Sequence, residues 1–189
     1  MMFLSKLQFK PSPECYRLIA SNYQIHRTVM SGFPDEKGMA RQNNNVLYVV
    51  CDDSVLVQSE TKPNWADKKF HADVKQFDVG VKSGKIFNFV LTANPVVRQN
   101  KKCRAITEEK DLVRWIVKKG KQHGFTICSL SIGKPSLIQF KGKTEKQTHN
   151  KVVFKGKLKI TSTEDYSQTI RKGIGKGKSF GFGMLLLSR

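Results

Sequence analysis

In the stretch "NYQIHRTVMSGFP", residues 22 to 34, a tyrosine stands three positions before a histidine and an arginine follows directly. Imidazole is the side chain whose proton moves near neutral pH, and a phenol beside it can donate a hydrogen bond or help orient it. Tyr23 and His26 are therefore the candidate pair for proton transfer, with Arg27 as a cation for an anionic reacting group. On a helix over residues 22 to 33, Ile25, Val29 and Phe33 form one stripe, while Tyr23, His26, Arg27 and Met30 gather on another side. The first stripe suits a core. His26 then lies near a helix start capped by Asn22, where backbone N–H groups favour an anion. A packed histidine at the edge of a core is the competing reading, and the residues alone leave both open.

A second candidate lies near the other end. "KGIGKGKSFGFG", residues 172 to 183, interleaves glycines with lysines. Glycine lets a backbone come close to a phosphate and lysine neutralises it, so Lys172, Gly173, Gly175, Lys176, Gly177, Lys178 and Ser179 are candidates for gripping a nucleic-acid backbone. The "GKS" within it is not a nucleotide loop. Such a loop needs a glycine five residues before Gly177, where Lys172 stands, and a helix afterwards, where a strand is expected. In "KVVFKGKLKI", Phe154, Leu158 and Ile160 fall on one face of a strand and Lys155, Lys157 and Lys159 on the other, a basic ladder that is either a solvated face or a polyanion contact. Lys37 and Arg41, in the polar segment before "NNNVLYVV", are further candidate contacts.

The charge balance favours the polyanion. The 189 residues carry 34 Lys and Arg against 15 Asp and Glu, a net +19. Residues 1 to 100 hold 13 basic and 9 acidic side chains, a difference of +4, whereas residues 101 to 189 hold 21 and 6, a difference of +15. A balance this basic and this uneven points to nucleic acid before an anionic membrane. The lysines fall on strands and a loop rather than on an amphipathic helix, which weighs against a membrane-surface protein. No apolar run approaches the roughly 20 residues needed to cross a bilayer, and "MMFLSKLQFK" lacks a signal peptide's apolar stretch, so a cytoplasmic protein is expected. Cys15, Cys51, Cys103 and Cys128 are scattered without a Cys-x-x-Cys pair or a histidine at ligand spacing, so neither a metal site nor a cofactor is expected. His71, His123 and His149 read as structural or surface groups.

The elements that must position these residues follow from period and punctuation. "FLSKLQF" alternates as a half-buried strand, Ser12, Pro13 and Glu14 start a helix, and Ser21 with Asn22 starts another. "NVLYVV" and "SVLVQS" flank an acidic turn as a hairpin, residues 61 to 85 show no convincing helix, and "GKIFNFVLTANP" is a strand. In the second half a helix begins at Thr107 to Glu109 with Leu112, Trp115 and Ile116 as its stripe, "FTICSLSI" and "KVVFKGKLKI" are strands, "TEDYSQTIRKG" is a capped helix and "FGFGMLLLS" closes the chain as a strand. This order predicts an α+β protein of two tandem ferredoxin-like, RRM-like domains with antiparallel sheets, residues 1–95 carrying the Tyr/His helix and 96–189 the basic strand and glycine loop. Such sheets leave a helix-free face on which many of them hold RNA.

"YQIHRTVMSGFP", "LTANPVVR", "WIVKKGKQHGF" and "GIGKGKSFGFGMLLL" together resemble the CasE family, the CRISPR repeat-RNA endoribonucleases of type I-E systems. The resemblance runs from the first strand to the last. It implies tandem ferredoxin-like domains, binding of the stem-loop in each repeat of a precursor transcript, and a metal-independent cut at the base of the stem by 2'-hydroxyl attack. It further implies retention of the mature guide RNA among the other subunits of the interference complex, Cascade. Tyr23 and His26 match the family's chemistry and "GIGKGKSFGFG" its RNA-contacting loop. A non-catalytic RNA-binding module, with His26 merely structural, is the alternative.

Overall fold

Ser12 and Ser21 punctuate the first third of the chain as their types suggest. In the computed structural model, which describes residues 1–34, 39–66, 69–99, 102–141 and 146–188, β1 (Met2–Phe9) leads into α1 (Pro13–Ala20). The Ser12 hydroxyl accepts from the Cys15 N–H at 3.1 Å, with Pro13 at the first helical position, where its missing donor costs nothing. The Ser21 N–H donates to the Leu18 carbonyl, and its side chain accepts from Gln24 to start α2 (Asn22–Met30). Ser21, not Asn22, is therefore the cap. Asn22 is already helical, because a serine between two helices can close one and open the next.

Next come α3 (Ala40–Asn43), β2 (Leu47–Val50), β3 (Ser54–Ser59) and β4 (Phe70–Phe77). They complete an antiparallel sheet in the order β2-β3-β1-β4. Its inner face, Leu7, Phe9, Val55 and Val57, packs on Cys15, Ile25, Val29 and Phe33, so the stripe read from α2 does face the core. The described residues between β3 and β4 form no helix. In its place a short strap crosses the end of α2. Asn64 N–H donates to the Gly32 carbonyl at 2.8 Å and the Trp65 indole to the Val29 carbonyl at 3.2 Å, satisfying carbonyls that a helix C-terminus leaves open.

The second unit runs β5 (Ile86–Ala93), the hairpin β6 (Val96–Gln99) and β7 (Lys102–Ala105), α4 (Glu109–Gln122), β8 (Phe125–Ile132), β9 (Ser136–Lys141), the long β10 (Lys146–Ile160), α5 (Thr163–Lys172), a 3₁₀ turn Lys178–Phe180 and β11 (Leu185–Ser188). The sheet order is β11-β5-β10-β8, antiparallel throughout, with β9 pairing the first half of β10. In both units the last strand lies beside the first, then the third, then the second. That is the ferredoxin-like arrangement, as expected. Leu112 and Ile116 of α4 are buried, and Trp115 stacks on Phe154 with centroids 5.6 Å apart.

The division of the chain differs from the expectation. One compact unit is Met1–Val79 with Ser179–Gly181, the other Gly80–Lys178 with Phe182–Arg189, so the boundary falls at residue 80 rather than near Pro95. The last strand of the first unit is β4, in the stretch where no element was read, and "GKIFNFVLTANP" is instead the first strand of the second unit. The physical reason is exposure. β4 is an edge strand with His71, Asp73, Val74, Lys75 and Gln76 exposed, so both faces are polar and no alternation marks it.

Candidate active site and polyanion-binding surface

Helix α2 is nine residues long and spans about two and a half turns, so burying Ile25 and Val29 fixes which side chains face outward. Tyr23 is 42% exposed, Arg27 is exposed and His26 is half-buried. The Arg27 guanidinium lies over the Tyr23 ring, 5.9 Å from its centroid, a cation–π arrangement. Arg27 is thus committed to Tyr23 while its charge stays accessible at the surface.

Three features define the surroundings of His26. Its Nδ1 is buried and has no hydrogen-bond partner. The imidazole pKa is held below its usual value, first by burial, then by the positive charge of Arg41, while a hydrogen bond with the Ser179 backbone acts the other way. Its ring centroid lies 6.4 Å from that of Tyr48, the planes inclined at 42°. A bare Nδ1 fits the same direction, because the imidazolium form has N–H donors at both nitrogens and an unpaired buried donor is costly. The neutral ring is therefore the resting form at neutral pH. Arg41, half-buried on α3, is the cation whose field reaches it.

Tyr48, from β2, is 1% exposed, and its hydroxyl donates to the Ser179 carbonyl at 2.7 Å. Burial pushes its phenol well above the usual range, so it stays protonated and acts as a donor. Tyr48 and the Ser179 carbonyl were not legible as part of this site. One is an apolar-looking strand position and the other a backbone atom 131 residues away. Lys37 lies outside the described residues.

In the second unit the lysine ladder is real. Lys155, Lys157 and Lys159 are exposed, whereas Phe154, Leu158 and Ile160 are buried. The glycine segment follows directly from α5. Lys172 is exposed at the end of that helix and Gly173 caps it at φ 70°. Gly175 and Gly177 take φ of 80° and 84°, a region that L side chains rarely adopt. Lys176 is exposed between them, its backbone bridged to Asn94 and its ammonium 3.0 Å from the Cys103 sulfur, and Lys178 is half-buried.

These glycines also meet an internal demand. A Cβ on Gly177 would sit 2.9 Å from the Phe182 ring, and one on Gly183 2.4 Å from the Ile174 carbonyl. A buried amide cluster lies against the segment. Asn94 bonds the His149 ring at 2.9 Å and accepts from the Asn150 N–H at 3.0 Å, while Asn150 donates to the Ile106 carbonyl at 2.7 Å. His71 pairs with Asp73 at 3.1 Å and the His123 ring bonds the Thr169 hydroxyl at 2.8 Å, both structural or surface roles. Among the described residues no helix is long and apolar enough to cross a membrane.

The described residues therefore hold a half-buried neutral imidazole with cations on one unit and a basic ladder and glycine segment on the other. Comparison with known proteins agrees with its character. A family model described as "CRISPR associated protein" matches residues 2–189. The chain is 26% identical, over 209 residues, to the CRISPR-associated endoribonuclease Cse3 of Thermus thermophilus, covering 97% of this chain and 98% of that relative. Among solved structures it is similar to the CRISPR endoribonuclease Cse3 bound to 19 nt RNA, with a TM-score of 0.89, 26% identity, and 100% of this chain and 98% of that chain covered. It is also similar to Thermus thermophilus Cse3 bound to an RNA representing a pre-cleavage complex, with a TM-score of 0.88, 25% identity, and 100% and 99% of the two chains covered.

Proposed function

The chain belongs to the CRISPR-associated protein family, and from that premise we propose that it is an endoribonuclease that binds the repeat stem-loop of CRISPR precursor RNA and cuts at the base of the stem. The observation that carries the reading is His26: a half-buried imidazole kept neutral by burial and Arg41, with Nδ1 uncommitted, on the same helix as Tyr23. RNA supplies its own nucleophile, the 2'-hydroxyl beside the scissile phosphate. The reaction then needs a proton acceptor or orienting group for that hydroxyl, a proton for the leaving 5'-oxygen, and positive charge against the phosphorane. A neutral imidazole suits the first task. His26 takes the 2'-hydroxyl proton, Tyr23 positions the reacting group or assists the proton's transfer, and Arg27 and Arg41 supply the cationic field. The oxygen attacks phosphorus, the P–O5' bond breaks with the leaving 5'-oxygen taking a proton from solvent water, and the products are a 2',3'-cyclic phosphate, which water can open to a 3'-phosphate, and a 5'-hydroxyl. No step requires a metal ion.

Affinity comes mainly from the second unit. Lys155, Lys157, Lys159, Lys172, Lys176 and Lys178 hold the RNA by its phosphates, and the backbone at Gly173, Gly175, Gly177 and Ser179 approaches it closely. Lys37 adds a further contact. The mature guide RNA stays bound, and the partners are the other subunits of the type I-E interference complex. The protein works in the cytoplasm, without a membrane.

The test is cleavage of repeat RNA in excess chelator, by the parent protein and by His26→Ala, with a control substrate carrying a 2'-deoxy sugar at the cut site. The parent should cut, and both altered pairs should bind without cutting. Specific binding by the parent with no cleavage under any condition would make this a non-catalytic RNA-binding module.

A further inference from the structure

A backbone that receives phosphates binds best when its shape is set before the RNA arrives, because ordering a segment on binding gives up part of the affinity. Gly175 and Gly177 have no side chains with which to set that shape, so the support must come from beneath. The base of the segment is closed by main chain. The Ile174 N–H donates to the Gly183 carbonyl and the Gly183 N–H to the Thr92 carbonyl on β5, both at 2.8 Å. Further out, the backbone of Lys176 is bridged to that of Asn94, the residue after β5. Asn94 is 5% exposed, and a Cβ on Gly177 would lie 3.6 Å from both its side-chain nitrogen and the His149 Nδ1. The segment therefore rests on the bond between Asn94 and His149.

That bond has one sense. The Asn94 carboxamide oxygen accepts from the Asn150 N–H at 3.0 Å, and a backbone N–H can only donate, so the amide cannot be turned round. Its nitrogen then faces the His149 ring, 2.9 Å from Nδ1, and donates to it. An accepting Nδ1 requires the neutral ring with its proton on Nε2. Burial lowers the His149 pKa, the direction this demands. Phe140 and Phe182 pack on the same imidazole, with centroids 5.0 and 5.8 Å away, and Asn150 is tied in turn to the Ile106 carbonyl after β7 at 2.7 Å.

Resting on the proposed function, we propose that Asn94 and His149 are positioning residues for RNA binding: the fixed amide and the neutral ring form a platform under Gly177 that holds Lys176 and the glycine backbone in the shape that receives a phosphate. Lys176 is presented from this platform. Its main chain is tied to Asn94, and its exposed side chain reaches the Cys103 sulfur on β7 at 3.0 Å.

Nitrogen-15 NMR of the RNA-free parent should show His149 neutral, protonated at Nε2 and unprotonated at Nδ1. Asn94→Asp replaces the donor by an acceptor and should move a proton onto Nδ1. Asn94→Ala and His149→Phe each break the bond, and His149→Phe keeps an aromatic ring against Phe140 and Phe182. Affinity is measured well below the melting temperature, with repeat RNA carrying a 2'-deoxy sugar at the cut site. Each variant should bind about 10-fold more weakly, the scale of ordering a few groups on binding. The salt dependence should keep the parent slope, because the lysines still replace counterions once the RNA is bound. The double variant should bind no more weakly than either single one, since both act through one bond.

Parent affinity in folded Asn94→Ala or His149→Phe overturns the proposal, as does an additive loss in the double variant or a flattened salt slope. If Asn94→Ala does not fold, His149→Phe is judged by the same affinity and slope. The tautomer needs no variant, and a parent ring with its proton on Nδ1 overturns the proposal by itself. If the parent does not bind repeat RNA at all, the reading beneath fails as well. If the parent binds, and neutralising Lys176 and Lys178 weakens binding while Asn94→Ala does not, only the positioning role fails.

Discussion

Each ferredoxin-like unit places a histidine in the same stretch of its fold, between the first and second strands, and the two have opposite characters. In the second unit a single fourteen-residue helix, α4, ends at His123, whose ring is tied to the Thr169 hydroxyl at 2.8 Å while the Thr169 hydroxyl donates back to the His123 carbonyl at 3.3 Å. In the first unit the corresponding stretch is broken at Ser21 into α1 and α2, and His26 lies within the second piece with its Nδ1 unmatched. Burial lowers the pKa of both rings. A depressed pKa therefore does not distinguish them. What does is the Nδ1 atom: that of His123 is held by the Thr169 hydroxyl of α5, whereas that of His26 is buried without a partner.

The comparison is tested most severely by deleting each histidine in turn. His26→Ala should lower the single-turnover cleavage rate about 100- to 10,000-fold, the usual worth of a proton-transfer group, with RNA affinity retained. His123→Ala should cleave like the parent and lose about 0.5–1.5 kcal/mol of stability, because the ring's part-buried hydrogen bond is broken while the Thr169 hydroxyl keeps its backbone acceptor. Measured side by side by cleavage and thermal melting, equal effects of the two deletions on cleavage would dissolve the distinction.

A second test separates chemistry from affinity. Neutralising Lys176 and Lys178 together should weaken RNA binding and flatten its salt dependence by about one unit of log–log slope for each phosphate that is no longer neutralised. The cleavage rate at saturation should stay at the parent value. An unchanged salt slope would remove the glycine segment from the RNA interface.

The strap that replaces the first unit's second helix can be tested through Gly32. A Cβ there would lie 2.1 Å from the Trp65 indole nitrogen, so Gly32→Ala must displace the ring that caps α2. Overpacking of this kind costs about 1–3 kcal/mol, read as a lower melting temperature. Because α2 carries His26, cleavage should fall with it.

The smallest effect is in the pH profile. A working form that is the neutral imidazole, with its pKa depressed in the free protein, makes kcat/KM rise with pH through an inflection below 6.5 and stay flat above it. A rate that falls as pH rises through that region would assign His26 to the acid step instead. For stability the sign is the same in both units. Depressed folded-state values mean that the contribution of His26 and His123 is complete above about 6.5 and is lost as pH falls through the lowered values, so acid melts of the double alanine variant should slope less steeply.

Much of this was readable from residue types. The Ile25, Val29 and Phe33 stripe, the Ser12 cap and the alternation of Phe154, Leu158 and Ile160 with lysines are local patterns, and they hold because the core enforces them. β4 escaped because an edge strand with polar residues on both faces leaves no period to read. The glycines were legible as positions needing special backbone, but part of their reason is internal. The Phe182 ring and the Ile174 carbonyl leave no room for a side chain. Least legible was the environment of His26, since a carbonyl carries no residue identity and the tyrosine that holds it looks like any other core aromatic.

The bond from Tyr48 to Ser179 closes a loop of 131 residues. It ties the completion of the surroundings of His26 to the order in which the chain is made. Everything else around His26 leaves the ribosome early, but at about 5–20 residues per second Ser179 follows Tyr48 on the order of 10 s later. Until then the Tyr48 hydroxyl lacks its acceptor. A nascent chain can thus form α2 and its serine cap while the turn that covers the Tyr48 ring waits for residues 179 to 181.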